Sequence, residues 1–256
     1  MTDSAVLRSP TGAGKPGGPV TAVIFDLDDT LFPQSAWLAG AFDLVADEAE
    51  RLGCDRRRLR DALDEAVAEG SDRGNTIDRA LHAAGERGVD PAVLVRAFHS
   101  FVPSRIDPYP GVEAAVRSLA ERVPLAIVTD GHPPGQRGKL AAIGLERYFS
   151  AVVCSDEMGR EARKPNPAGM LLALEMLGRP AEEVAVIGDR PDKDIAAALA
   201  AGVRAVRVQT GEHRAQQDLP GTWASVGTVA EAVSIVAACV AQGRAPNPVA
   251  PKPGES

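Results

Sequence analysis

At 256 residues, 45% of them hydrophobic and 25% charged, the chain has the composition of an ordinary folded protein with room for a main domain and a smaller one. A formal net charge of −7 argues against non-specific nucleic-acid binding and against anionic membrane surfaces, and no apolar stretch is long enough to span a bilayer. Cys54, Cys154 and Cys239 share no metal-type spacing and the N-terminus has no signal-peptide pattern, so a reduced, cytoplasmic setting is expected.

Residues 1–19 are polar and rich in Gly and Pro, and a disordered tail is expected there. Thr11-Gly12-Ala13-Gly14-Lys15-Pro16 has the look of a phosphate-binding loop, but Ser9 stands where the first Gly is required and Pro16 where Ser or Thr is. The first strand is the apolar run Val23-Ile24-Phe25, which breaks off into Asp26-Leu27-Asp28-Asp29-Thr30-Leu31. On a continued strand Asp26 and Asp28, two apart, face the same side, and two carboxylates held so close need cations nearby to stay ionised.

A run of helical patterns follows, with no strand among them. Ser35 can cap a helix with the stripe Trp37, Leu38, Ala41, Phe42, Val45, Ala49 and Leu52, ending at Gly53. Further helices carry Leu59, Leu63 and Val67, then Ile77, Leu81 and Ala84 from near Asn75, then Val93, Leu94, Ala97 and Phe98 after Asp90-Pro91. Residues 34–106 therefore read as a helical domain inserted into a core made of 20–33 and 107–242, with hinges at Phe32-Pro33 and at residues 107–111.

Helices and strands then alternate. A helix over Val112 to Leu119 precedes the strand Leu125–Thr129, which ends in Asp130-Gly131. A helix around Lys139 to Ile143 precedes the strand Ala151–Cys154, and a loop with Lys164-Pro165 leads into a helix with Met170, Leu174 and Leu177. The strand Val184–Ile187 ends in Gly188-Asp189, and a helix from about Lys193 to Ala201 precedes a last strand, Val203 to Val208. Thr228 and Glu231 form a capping box for a final helix, and residues 243–256 read as a loose tail. This order predicts an α/β fold, a doubly wound, Rossmann-like, mostly parallel sheet covered on both faces, with an inserted all-α domain. In such sheets ligands collect beyond the carboxyl ends of the strands, where Asp26, Asp28, Thr129, Asp130, Lys164, Asp189 and Asp194 all fall.

Those residues resemble the motifs of the haloacid dehalogenase superfamily of aspartate-nucleophile hydrolases over residues about 21 to 210. Asp26-Leu27-Asp28-Asp29-Thr30 is similar to its DxDxT pattern, Thr129 and Lys164 to its second and third motifs, and Gly188-Asp189-Arg190-Pro191-Asp192-Lys193-Asp194 to GDxxxxD. The resemblance implies Asp26 as nucleophile and Asp28 as general acid/base, with Lys164 as a charge partner for Asp26 and the phosphoryl group. It implies Mg²⁺ on the Asp26 carboxylate, the Asp28 carbonyl and the Asp189 carboxylate, with Asp194 orienting Lys164 or a metal-bound water. Thr129 and the backbone N–H groups of Asp130 and Gly131 would hold phosphate oxygens, and the helical insertion would act as a lid that reads the rest of the substrate.

The implied activity is Mg²⁺-dependent hydrolysis of a small phosphorylated metabolite through an aspartyl-phosphate, with no nucleic-acid or membrane partner. Asp28 speaks against dehalogenation, whose enzymes lack that acid. A phosphomutase using the same residues and a silent binding protein on this fold remain as alternatives, the latter opposed by the intact Asp26, Asp28, Lys164 and Asp189. Asp29 receives no chemistry, Asp192 reads as a helix cap, and Arg160 and Arg163 read as surface charges. His132 could reach substrate, but beside Pro133 and Pro134 it reads first as an incidental loop residue, and the oligomeric state stays open.

Overall fold

A computed structural model describes residues 18–71 and 73–240; the tails expected at 1–19 and 243–256 lie outside them, apart from residues 18 and 19. Six parallel strands form one sheet in the order β3-β2-β1-β4-β5-β6: β1 (Ala22–Phe25), β2 (Leu125–Thr129), β3 (Ala151–Cys154), β4 (Val184–Gly188), β5 (Arg204–Val208) and β6 (Ala224–Val226). The strand order reverses at β1, which pairs with β2 on one side and β4 on the other. A crevice opens beyond the carboxyl ends of strands at such a reversal, and Asp26, Asp130 and Asp189 follow those three strands directly.

Every residue of β1, β2 and β4 is buried, because helices cover both faces. Side chains alternate between two cores with the period of the strand. Val23, Phe25, Leu125, Ile127, Ala185 and Ile187 pack with Val112, Val116 and Leu119 of α5 (Val112–Ala120) and with Val229, Ala232 and Val236 of α9 (Val229–Ala238). Ala22, Ile24, Ala126, Val128, Val184 and Val186 meet Met170, Ala173 and Leu174 of α7 (Ala168–Leu177) and Ala197 and Ala198 of α8 (Ala196–Ala200).

The four helices between β1 and α5 are α1 (Gln34–Arg51), α2 (Arg56–Ala68), α3 (Thr76–Ala84) and α4 (Pro91–Ser100). They have an apolar cluster of their own, built on Phe42, Val45, Leu59, Leu63, Ile77, Leu81 and Leu94. Asp55 caps α2 and Asp90 caps α4, each carboxylate accepting a backbone N–H of the first turn.

Four local expectations differ from the structure; the first is Ser35, which lies inside α1, whose N-cap is Pro33 with no side-chain cap. The strand ends at Phe25, so Asp26 and Asp28 stand on the loop beyond β1 rather than on the strand itself. The helix expected around Lys139 begins earlier, as α6 (Pro133–Ala142), because prolines in a first turn give up N–H groups that have no helical partner anyway. The helix expected from Lys193 splits into one π-helical turn, Pro191–Ile195, and α8. Strand β6 was not foreseen: three half-buried residues, Ala-Ser-Val, carry too little β-pattern to read, and only pairing with β5 orders them.

Candidate active site

Asp26 and Lys164 meet at the centre of the crevice. The Lys164 ammonium donates to Asp26 Oδ1 at 2.5 Å, to Asp194 Oδ1 at 2.6 Å and to the Val128 carbonyl at 3.2 Å. One ligand oxygen from each of Asp26, Asp189 and Asp194 lies within 4.8 Å of the others, and all three residues are buried. Two of these carboxylates thus share one ammonium, and Asp189 stands beside them. Burial, then the charge of Asp194, pushes the Asp26 carboxyl up to about 7 against the pull of Lys164. Burial, then the charges of Asp194, Asp26 and Asp29, raise Asp189 well above the usual carboxylate range, and its Oδ2 has no hydrogen-bond partner among the described residues. Burial alone would lower the Lys164 ammonium, but Asp194 and Asp26 outweigh it and hold the proton firmly.

Gly188 makes this packing possible. A Cβ there would stand 2.5 Å from the Asp194 Cβ, so the end of β4 and the π-helical turn approach closely only at a residue without a side chain. Asp194 is further fixed by the Arg190 N–H on its Oδ2 at 2.9 Å.

Asp28 lies on the same side as Asp26, and both line a cavity of about 250 Å³ together with Thr129, Asp130, Gly131, Lys164, Asp189 and Asp194. The site residues named from the sequence are therefore brought together. Asp28 has its own cation, which the sequence reading missed. Lys139 of α6 donates to both Asp28 oxygens, at 2.8 and 3.1 Å, although its side chain is only 5% exposed. Its ammonium also sits 4.2 Å from the Trp37 ring centroid, so a residue of α1 closes over it. Gln136, one turn earlier, donates to Asp28 Oδ2 at 2.7 Å and to the Thr129 hydroxyl at 2.6 Å. The available signal was the helical spacing of Gln136 and Lys139, which shows only once α6 is known to start at Pro133.

The loop after β2 is held mainly by side chains. The Gly131 N–H expected to face phosphate donates instead to Asp156 Oδ1 at 3.1 Å. Asp130 contributes its carboxylate: Oδ1 accepts the Ser155 hydroxyl and, at 3.2 Å, the Lys164 N–H, which ties the second motif to the third. Arg163, expected as a surface charge, forks onto both oxygens of Asp156 at 2.6 Å and lines the cavity.

Asp29 has a structural task. In the left-handed region at φ 54°, it accepts the Gln34 N–H at 2.9 Å on Oδ1 and the Glu212 N–H at 3.3 Å on Oδ2, joining the start of α1 to the loop after β5. Asp192 pairs with Arg190 at 2.6 Å rather than capping a helix. Arg207, fully buried in β5, donates to the Asp189 carbonyl at 3.2 Å, to the Gln216 carbonyl at 2.7 Å and to Asp218 Oδ1 at 2.7 Å. Nothing in the strand pattern marks it, since only the fold shows that the loop from 210 to 218 has carbonyls to satisfy. His132 stacks on His99 of α4 with ring centroids 4.4 Å apart, so it bridges the inserted helices and the core.

The haloacid dehalogenase-like hydrolase family model matches residues 20–202. A glyceraldehyde 3-phosphate phosphatase from Methanopyrus kandleri is 34% identical over 206 residues, covering 76% of this chain and 86% of that protein. A phosphoglycolate phosphatase from Pectobacterium atrosepticum is 33% identical over 204 residues, 75% of this chain and 81% of its own. In fold, a hydrolase of the family from Bacillus subtilis, solved bound to magnesium, superposes with a TM-score of 0.65 at 22% identity, covering 86% of this chain and 99% of its own. No helix among the described residues is long and apolar enough to cross a membrane. Four motifs meeting at one strand-order reversal, within a matching family model and beside phosphatase relatives, place this chain in the haloacid dehalogenase-like hydrolases, among their phosphoric monoester hydrolases.

Proposed function

We propose that the protein hydrolyses a small-molecule phosphate monoester with Mg²⁺, Asp26 attacking phosphorus to form an aspartyl-phosphate. The observation that carries this reading is the meeting of the Asp26, Asp189 and Asp194 carboxylates, two of which, Asp26 and Asp194, pair with the Lys164 ammonium. Their excess negative charge, the raised Asp26 and Asp189 and the unpartnered Asp189 Oδ2 suit a hard divalent cation with oxygen ligands. Asp26, Asp189 and the Asp28 carbonyl would hold it, and when bound it offsets carboxylate repulsion and the charge of the transferring phosphoryl group.

The chain's own groups do the rest. Lys164 keeps its proton and presents a fixed positive charge beside Asp26, next to the phosphoryl oxygens that carry the negative charge as phosphorus is attacked. Asp194 holds that ammonium in place. Asp28 protonates the departing alcohol oxygen and then takes a proton from the water that releases phosphate. Thr129 and the Asp130 N–H contribute to the phosphate cradle; the Gly131 N–H does so only by leaving Asp156. The helices of residues 34–106 form the lid.

Release of inorganic phosphate from a panel of monoesters tests the reading. Turnover is expected with Mg²⁺, lost with EDTA, restored by Mg²⁺, and independent of any added bisphosphate. Phosphate release that ignores EDTA would refute the metal, and a strict bisphosphate requirement would make the enzyme a mutase.

Lys139 enters as a positioning residue, acting through Asp28. General acid–base catalysis is worth about 10²–10⁴-fold, and Lys139→Met, which leaves Asp28 with Gln136 alone, is expected to forfeit about tenfold to a hundredfold in kcat. Steady-state kinetics of the variant check this, and an unchanged kcat would show that the ion pair does not orient the acid.

A further inference from the structure

Beside the phosphate cavity lies a larger one of about 440 Å³, and the two share Asp28, Gln34, Ser71, Asp130, Gly131 and Arg163 in their walls. The two cavities therefore adjoin along those residues. Its chemistry is divided. Polar lining comes from the core loops, from Gln136 and Lys139 of α6, from Gln34 and His99, and from Ser71, Asn75, Thr76 and Asp78, whereas Leu38, Phe42, Val67, Ile77, Val95 and Phe98 make an apolar wall from all four inserted helices. Four of these, Leu38, Val67, Val95 and Phe98, stay only half-buried although they pack on the apolar cluster of the bundle. They keep apolar surface unfilled at the cavity.

We propose that this cavity receives the leaving group, and that the preferred substrate is a phosphate monoester of an alcohol with an apolar aliphatic or aromatic body of about six carbons or more. The inference rests on the phosphatase reading above and adds the class of alcohol. Volume argues for size: at roughly 30 Å³ per water-sized group the space holds about fifteen such groups, which a two- or three-carbon alcohol leaves mostly unfilled. Wall chemistry argues for an apolar body. A polyol pressed against Leu38, Val67, Val95 and Phe98 gives up hydrogen bonds to water and meets no partner there, while methylenes or a ring lose nothing and cover apolar surface.

The test is a homologous series of ethyl, butyl, hexyl and phenyl phosphate beside phosphoglycolate and glyceraldehyde 3-phosphate, each with Mg²⁺. Phosphate release is measured with the native protein, and calorimetric binding with Asp26→Asn. A fully buried methylene corresponds to about fourfold in an equilibrium or specificity constant. The expected result is a rise in kcat/KM of at least about tenfold from ethyl to hexyl, paralleled in affinity for Asp26→Asn and flattened by Val67→Asn and by Val95→Asn. A flat or falling series, or the two short polar esters matching hexyl phosphate, overturns the apolar leaving group and leaves the phosphatase standing. A rising affinity series without phosphate release supports the cavity and overturns the hydrolysis. Neither release nor binding removes both.

Discussion

Asp26→Asn is expected to lower Mg²⁺-dependent turnover by at least about 10⁴-fold, because removing the atom that forms the covalent bond removes the pathway and not merely a contribution to it. The fold should survive. Asn is nearly isosteric, Lys164 keeps Asp194 and the Val128 carbonyl as acceptors, and one of three crowded carboxylates is gone. The sign of the stability change follows from protons. Asp26 holds its proton to about 7 in the folded protein, against 3.8 for an ordinary Asp, so the native state binds more protons than the unfolded chain between those values. In metal-free protein the wild type should lose stability relative to the variant as pH rises from about 4 to about 7. Urea titrations at several pH values measure this, alongside phosphate release. Appreciable turnover by the variant would remove Asp26 as nucleophile, and a pH-independent difference in stability would remove the crowding.

Gly188→Ala is the second substitution with a large expected effect, and it touches no substrate. The added methyl would stand 2.5 Å from the Asp194 Cβ and 2.9 Å from its Oδ2. Asp194 cannot swing aside cheaply, since one oxygen holds the Lys164 ammonium and the other the Arg190 N–H. Overpacking of this kind costs about 1–3 kcal/mol. Displacing the ammonium by even an ångström costs a further factor of about 10² in rate. Chemical denaturation and kcat should therefore fall together. A variant as stable and as active as the wild type would show that β4 and the following turn have room to separate.

The conflict among the carboxylates was legible before any coordinates, because a strand that ends in Asp-Leu-Asp has to answer for its charge. Lys164 could be found from its motif. Lys139 could not, since a lysine in a helix ordinarily faces water, and only the folded chain places Trp37 of α1 above it and Asp28 beside it. Arg207 was hidden for a similar reason: a charged residue in a strand pattern reads as an edge, yet here it is fully buried by the loop whose carbonyls it binds. Asp29 carries no chemical signal in the sequence, and it joins two segments that are far apart along the chain.

Alternation of apolar strands and helices by itself determined the layered parallel sheet, the helical insertion and the strand ends at which acids gather, because burial on both faces dictates those periodicities locally. Tertiary structure alone decided that Lys139 answers Asp28, why residue 188 has no side chain, and the size and polarity of the space beside the phosphate site. The reason is physical. Periodicity records which way a side chain faces, whereas charge pairing and cavity shape depend on distances between residues that the chain brings together only by folding.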